Sequence, residues 1–292
     1  MKLATFAREG RRSIGIVTDD ALVDLADAMP GCPPDMLAFL ERGPEAIALA
    51  RQAAHRDATR IPIADVTIEA PIRRPPKILA VGLNYADHIR ETGAARPSVP
   101  VIFNKQSTAV VGPGRPILIP PESPCVDYEG ELAMVIGVRC RRVPRERARE
   151  VVAGVTICND VSVRDWQKRT PTMTMGKSWD SHCPLGPYLV TLDEIPDPQA
   201  LSLVTRVNGE MRQHASTAEM VFDCWELIAH ISTAFTLEPG DVISTGTPAG
   251  VGMAMSPPRW LQPGDVVSIE LERIGELANP VVAEAPISGE GP

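Results

Sequence analysis

The chain has 292 residues, 44% of them hydrophobic, which is enough for a large buried core and excludes a disordered protein. A formal net charge of −8 argues against a nucleic-acid backbone or an anionic membrane as the main partner. Proline, at 29 residues, is about twice as frequent as the usual ~5%, which suits short strands and irregular loops and disfavours a helical bundle.

Residues 1–70 read as a small N-terminal α/β domain. Residues 3–29 have the texture of two or three short strands, and residues 36–54 have helical spacing. The proline-bearing segment 67–77 reads as a hinge into a catalytic domain spanning 71–292. Residues 77–93 then read as a buried strand, a turn at Gly82 and a short helix. Beyond residue 99 the chain is strand-rich. The segments at 99–107, 115–121, 127–138, 151–160, 186–192, 201–213, 241–246 and 265–275 all carry strand patterns. Asn208-Gly209 between two alternating runs marks a hairpin. LEPGDVIS and LQPGDVVS share a Pro-Gly-Asp turn feeding a strand, either as two rims of one rolled sheet or as two ordinary turns. One clear helix runs over about 224–235 and ends before Pro239-Gly240. The expected fold class is therefore α+β, dominated by strands.

Six cysteines without a C-x-x-C pattern point to free thiols in a reducing compartment. The first residues lack the apolar stretch of a signal peptide, and no apolar run reaches the ~20 residues of a membrane helix, so a cytoplasmic location is expected. The six arginines between Arg139 and Arg149 are interrupted by Glu146 and followed by Glu150, which reads as a solvated loop leading into a surface helix.

The chemistry-bearing pattern begins at Glu129 and Glu131. Residues i and i+2 of a strand point to one face, and the run Leu132–Ile136 that follows is headed for the core. Two carboxylates at the mouth of a core are costly unless protons or a cation neutralise them, and Mg2+ or Mn2+ suits carboxylate oxygen. Asp160 closes the next strand candidate, so the three carboxylates are expected to meet at the ends of adjacent strands. Arg164 and Gln167 follow on one helical face, suited to the carboxylate or carbonyl of an anionic substrate. His88 and Glu91, three apart on a short helix, can form a general base with its orienting carboxylate. Gly176-Lys177-Ser178 lacks the earlier glycine of a phosphate loop, residues 246–252 do not fit a dinucleotide-binding motif, and G-x-S-x-G and H-E-x-x-H are absent.

Seven blocks carry a resemblance: NYADHIRE (84–91), FNKQS (103–107), DYEGELAMVIG (127–137), NDVSVRDWQ (159–167), MGKSWDSHCPLGP (175–187), VNGEMRQ (207–213) and LEPGDVISTGTPAGVG (237–252). In this order, over about residues 72–285, they resemble the fumarylacetoacetate hydrolase family, in its shorter bacterial branch. The resemblance implies a rolled, β-barrel-like mixed sheet, a homodimer, and Mg2+ or Mn2+ on Glu129, Glu131 and Asp160. It implies that His88 and Glu91 activate water on a lid, and that Arg164, Gln167 and Lys177 stabilise the substrate's anionic groups. It also places Lys105, Thr247 and Tyr85 in the pocket. The additional metal carboxylate of the longer eukaryotic members has no counterpart here. The expected activity is hydrolysis of a C–C bond in a 2,4-dioxo acid through a metal-stabilised enolate; the alternative is isomerisation or decarboxylation of 2-oxo or 2-hydroxy-dienoate acids, oxaloacetate included, at the same site. Specificity is expected from loops 95–100, 170–175 and 179–182.

Overall fold

The computed structural model of the chain describes residues 1–54 and 59–285. Its frame is a twelve-stranded mixed sheet. Along the main path the order is Arg60–Pro62, Ala21–Asp24, Arg11–Thr18, Lys2–Arg8, Cys183–Val190, Val152–Asn159, Gly130–Ile136, Val242–Ser244, Ile78–Gly82 and Val101–Lys105. Thr67–Glu69 adds to Lys2–Arg8, and Val110–Val111 to Cys183–Val190. Most neighbours are antiparallel, but Val242–Ser244 runs parallel to Ile78–Gly82. The path has two ends, so the expected barrel-like roll is an open sheet.

The strand Gly130–Ile136 is buried at all seven positions. A two-residue period nevertheless divides it between two cores. Ala133 and Val135 join a cluster that includes Leu3, Met36, Phe39 and Ala50 from the first 54 residues. Leu132, Met134 and Ile136 join a second cluster with Leu227, Ile228 and Ile231. Those last three lie on the helix Cys224–Ala234, whose buried positions recur every three or four residues, as an amphipathic helix requires. Asp223 caps this helix by accepting the backbone N–H groups of Trp225 and Glu226. With helices on both sides of the sheet, its central strand is apolar almost throughout.

The segment expected as a separate N-terminal domain supplies five strands that extend the large sheet, with Leu3 paired to Leu189. Its helical stretch is broken into Met36–Leu40 and Pro44–Ala53 at Gly43, which sits at φ 80°. A second sheet holds Glu210–Ser216, Ser202–Val207, Val266–Leu271, Gly275–Ala283 and Ile117–Ile119. Asn208 and Gly209 both take positive φ in the hairpin of this sheet, as their types suggest. The two Pro-Gly-Asp turns feed different sheets, since Val242 enters the large one and Val266 the small one. The six cysteines are free thiols. Among the described residues, no helix is long and apolar enough to cross a membrane.

Candidate active site and metal centre

Strand register brings the acidic residues together. Gly130 pairs with Asn159 and Glu131 with Cys158 in the antiparallel ladder. The Asp160 N–H donates to the Glu129 carbonyl at 2.9 Å, and the Glu129 N–H donates to Asn159 Oδ1 at 3.0 Å. One carboxylate oxygen from each of Glu129, Glu131 and Asp160 lies within 4.8 Å of the others, and all three residues are buried. Asp160 Oδ1 touches Lys105 Nζ at 2.6 Å but without hydrogen-bond alignment, so it keeps a lone pair for a further ligand. An all-oxygen, buried donor set with such an acceptor fits a hard divalent cation.

Buried cations compensate most of this charge. Lys177 Nζ donates to Glu129 Oε2 at 2.7 Å and to Asp160 Oδ2 at 2.6 Å. Arg164 Nη1 lies 2.6 Å from Glu129 Oε1 and donates to Gln167 Oε1 at 3.0 Å. Its Nε and Nη2 lie 2.9 and 2.8 Å from Asp127 Oδ2. Four buried carboxylates (Asp127, Glu129, Glu131, Asp160) thus face three buried cations (Lys105, Arg164, Lys177), an excess of one negative charge. The excess falls on Glu131. Burial, then the Asp160 and Glu129 carboxylates, push its pKa well above the usual carboxylate range, although Ser244 Oγ and the Gly246 N–H donate to it at 2.6 and 2.8 Å. Burial opposes ionisation of Glu129 too, but Lys177 and Arg164 overrule it and hold this carboxyl well below the usual range. A cation bound beside Glu131 would offset this excess.

A glycine-rich segment, residues 246–253, ties the parts to one another. The Gly246 N–H holds Glu131, the Gly250 N–H donates to Glu91 Oε2 at 2.9 Å, and the N–H groups of Gly252 and Met253 hold Asp127 at 2.8 and 3.0 Å. Glycine is required at two of these positions. Gly246 sits at φ +99°, where a Cβ would fall 2.7 Å from Asn84 Cβ, and Gly250 at φ +106°, where it would fall 2.0 Å from Arg212 O. Glu91, held this way, accepts His88 Nδ1–H at 2.7 Å across the helix Ala86–Thr92. This fixes the tautomer and leaves Nε2 as the basic nitrogen for the cavity.

His88, Glu129, Glu131, Arg164, Gln167 and Lys177 line one cavity of about 350 Å³, with Thr247 beside them. Val81, Leu83, Val101, Phe103 and Met173 form its apolar wall. Thr247 Oγ1 donates to the Gly130 carbonyl at 3.0 Å and accepts from Gln213 Nε2 at 2.8 Å, so its hydroxyl is engaged within the fold. Two residues expected in the pocket do not line it. Lys105 is fully buried against Asp160 and donates to the Val161 and Lys177 carbonyls, beneath the carboxylates. Tyr85 precedes the His88 helix and is turned inward, only 1% exposed. The helix expected to carry Arg164 and Gln167 is a single turn, Arg164–Gln167, entered from the short strand Ser162–Val163. Asp127 escaped the sequence reading. Its place two residues before Glu129, on the same two-residue period, was the available signal.

Known proteins share this arrangement of strands. A model of the family described as "Fumarylacetoacetate (FAA) hydrolase C-terminal" matches residues 77–282. The chain is 47% identical over 262 residues to the oxaloacetate tautomerase Fahd2a, mitochondrial, of Rattus norvegicus, covering 89% of this chain and 84% of that one. The structure of a fumarylacetoacetate hydrolase from psychrophilic Exiguobacterium antarcticum superposes with a TM-score of 0.86 at 41% identity, covering 97% of this chain and all of that one. A maleylpyruvate hydrolase from Sphingobium sp. SYK-6, solved with manganese(II) and pyruvate, gives 0.82 at 34% identity, covering 98% of this chain and all of that one. With the match extending over most of its length and over the whole of the acidic cavity, the chain belongs to the fumarylacetoacetate hydrolase family.

Proposed function

We propose that the chain is an isomerase interconverting the keto and enol forms of a 2-oxo acid of the oxaloacetate class, with Glu129, Glu131 and Asp160 as ligands of Mg2+ or Mn2+. The observation that carries this reading is a single cavity lined by a tautomer-fixed histidine and by Glu129 and Glu131, with the buried Asp160 clustered beside the two glutamates. A divalent ion, when bound, supplies positive charge to a 2-oxo carboxylate and polarises its carbonyl. The rest falls to the chain. His88 Nε2 takes a proton from the carbon next to the carbonyl, and Glu91 stabilises the imidazolium that results. Lys177, kept charged by Asp160 and Glu129 despite its burial, offsets the negative charge that grows on the carbonyl oxygen. Returning the proton from His88 to that oxygen completes the enol, and the reverse sequence gives the keto acid. Gln167 and Arg164 orient the substrate carboxylate, and the apolar wall limits water.

The sequence reading put C–C hydrolysis first. The likeness to a tautomerase over most of the chain favours the isomerase, which was its alternative. Hydrolysis keeps the support of one observation: the His88–Glu91 pair is also equipped to deprotonate a water. A direct comparison decides between them. With Mg2+ present, the protein is expected to accelerate ketonisation of enol-oxaloacetate far more than release of pyruvate from acylpyruvates. Acylpyruvate cleavage as the dominant activity would reverse the assignment.

A further inference from the structure

We propose that Lys168 reads the far end of the substrate and makes the chain selective for 2-oxo acids bearing a second, distal carboxylate; this rests on the 2-oxo acid reading above. The deep cations of the cavity are already engaged. Lys177 bridges Glu129 and Asp160, and Arg164 is shared by Asp127, Glu129 and Gln167. Beyond them the wall is apolar, at Val101, Phe103 and Met173, and a carboxylate left there without a partner is costly. The remaining acidic lining, Glu129 and Glu131, would repel it.

Lys168 is the exception. It lines the same cavity yet is exposed, which puts it at the mouth. Among the described residues its ammonium makes no ion pair and no side-chain hydrogen bond. The neighbouring acid does not claim it, because Asp165 accepts from Ser123 Oγ at 2.6 Å and lies 3.6 Å from Arg169. Lys168 caps the turn Arg164–Gln167, its N–H donating to the Arg164 carbonyl at 3.3 Å. The same turn therefore aims Arg164 and Gln167 inward and fixes where the Lys168 stem starts. A four-carbon stem carrying a compact charge can follow a distal carboxylate over a range of chain lengths, and a cation at the mouth of an anionic protein also draws dianions toward it.

The test compares oxaloacetate with its 4-methyl ester, which differ in the distal charge. The wild type is expected to favour the diacid in kcat/KM. Lys168→Gln should lower the diacid-to-ester ratio about fivefold, the scale of one partly exposed ion pair. Lys168→Arg should retain the ratio, and added salt should shrink it in the wild type. A ratio unchanged in Lys168→Gln overturns the inference while the activity stands. Calorimetric titration of the Mn2+-loaded protein with 2-oxoglutarate and with 2-oxovalerate gives a readout independent of turnover. A Lys168-dependent preference for the diacid, in a protein that turns over neither oxaloacetate form, would sink the isomerase reading and leave the inference standing. Equal binding of the two acids by the wild type would overturn it.

Discussion

The floor and the mouth of the cavity are built on opposite terms. On the floor, Glu129, Glu131, Asp160, Lys105 and Lys177 are all at most 5% exposed, and ion pairs or hydrogen bonds constrain each of them. At the mouth, Lys168 is exposed, and between it and the turn Thr174–Lys177 the chain forms no helix or strand. Burial makes the floor intolerant, since a charge removed there strands its partner at low dielectric, a loss of about 3–5 kcal/mol. The mouth is screened by water, so changes there cost little stability and alter what is bound. On the proposed function, the chemistry belongs to the floor and the choice of acid to the mouth.

The largest expected effect comes from the floor. Glu131→Ala should abolish binding of Mn2+, measured by calorimetry, and reduce turnover about a thousandfold or more while the protein stays folded. EDTA should have the same effect on the wild type, reversed by Mg2+ or Mn2+. Metal uptake should also expel a proton, because burial and the Asp160 and Glu129 carboxylates raise the Glu131 pKa. Titrations in buffers of different ionisation enthalpy will reveal that proton, and its absence would contradict the charge count given above.

His88→Ala removes the proposed base and leaves the proposed metal ligands in place. Turnover should fall about a hundredfold to ten-thousandfold with Mn2+ affinity preserved. A loss of metal binding in this variant would blur the division between floor and proton carrier.

Asp127→Asn tests whether a residue outside the reacting group belongs to the floor. Asp127 joins Arg164 to the N–H groups of Gly252 and Met253, so the variant should raise KM more than it lowers kcat. It should also reduce stability to urea by about 3 kcal/mol. A kcat effect alone would remove Asp127 from the task of orienting Arg164.

The smallest effect lies away from the cavity. His182 is fully buried, its Nε2–H donating to the Leu118 carbonyl at 2.7 Å, and burial lowers its pKa to about 4. The unfolded chain takes up this proton near 6.5, before the folded one does, so stability should decline as pH falls from about 6.5 toward about 4. Wild type should lose about 2 kcal/mol more than His182→Gln between pH 7 and pH 5 in urea denaturation. Parallel curves would remove His182 from the acid response.

The floor was largely legible in the sequence. A two-residue period placed Glu129 and Glu131 together, and Asn159-Asp160 at the end of an apolar run placed the third carboxylate beside them. The i, i+3 spacing of His88 and Glu91 became a hydrogen bond. What the sequence could not convey was which charges pair below the carboxylates. Lys105 and Asp127 stand in motifs next to pocket residues, but whether such a side chain faces substrate or another buried charge depends on long-range packing. The first 70 residues read as separate because a proline-rich hinge follows them. Their first strand, Lys2–Arg8, pairs with Cys183–Val190, a partner more than a hundred residues away that no local pattern announces.

Deuterium exchange at the carbon next to the carbonyl tests the central claim most directly. In D2O with Mg2+, the wild type should accelerate loss of the C3 protons of oxaloacetate, followed by NMR, and His88→Ala should exchange at the solution rate. Equal acceleration by His88→Ala, or no acceleration by a metal-loaded wild type, would contradict a proton carried by His88 above the three carboxylates.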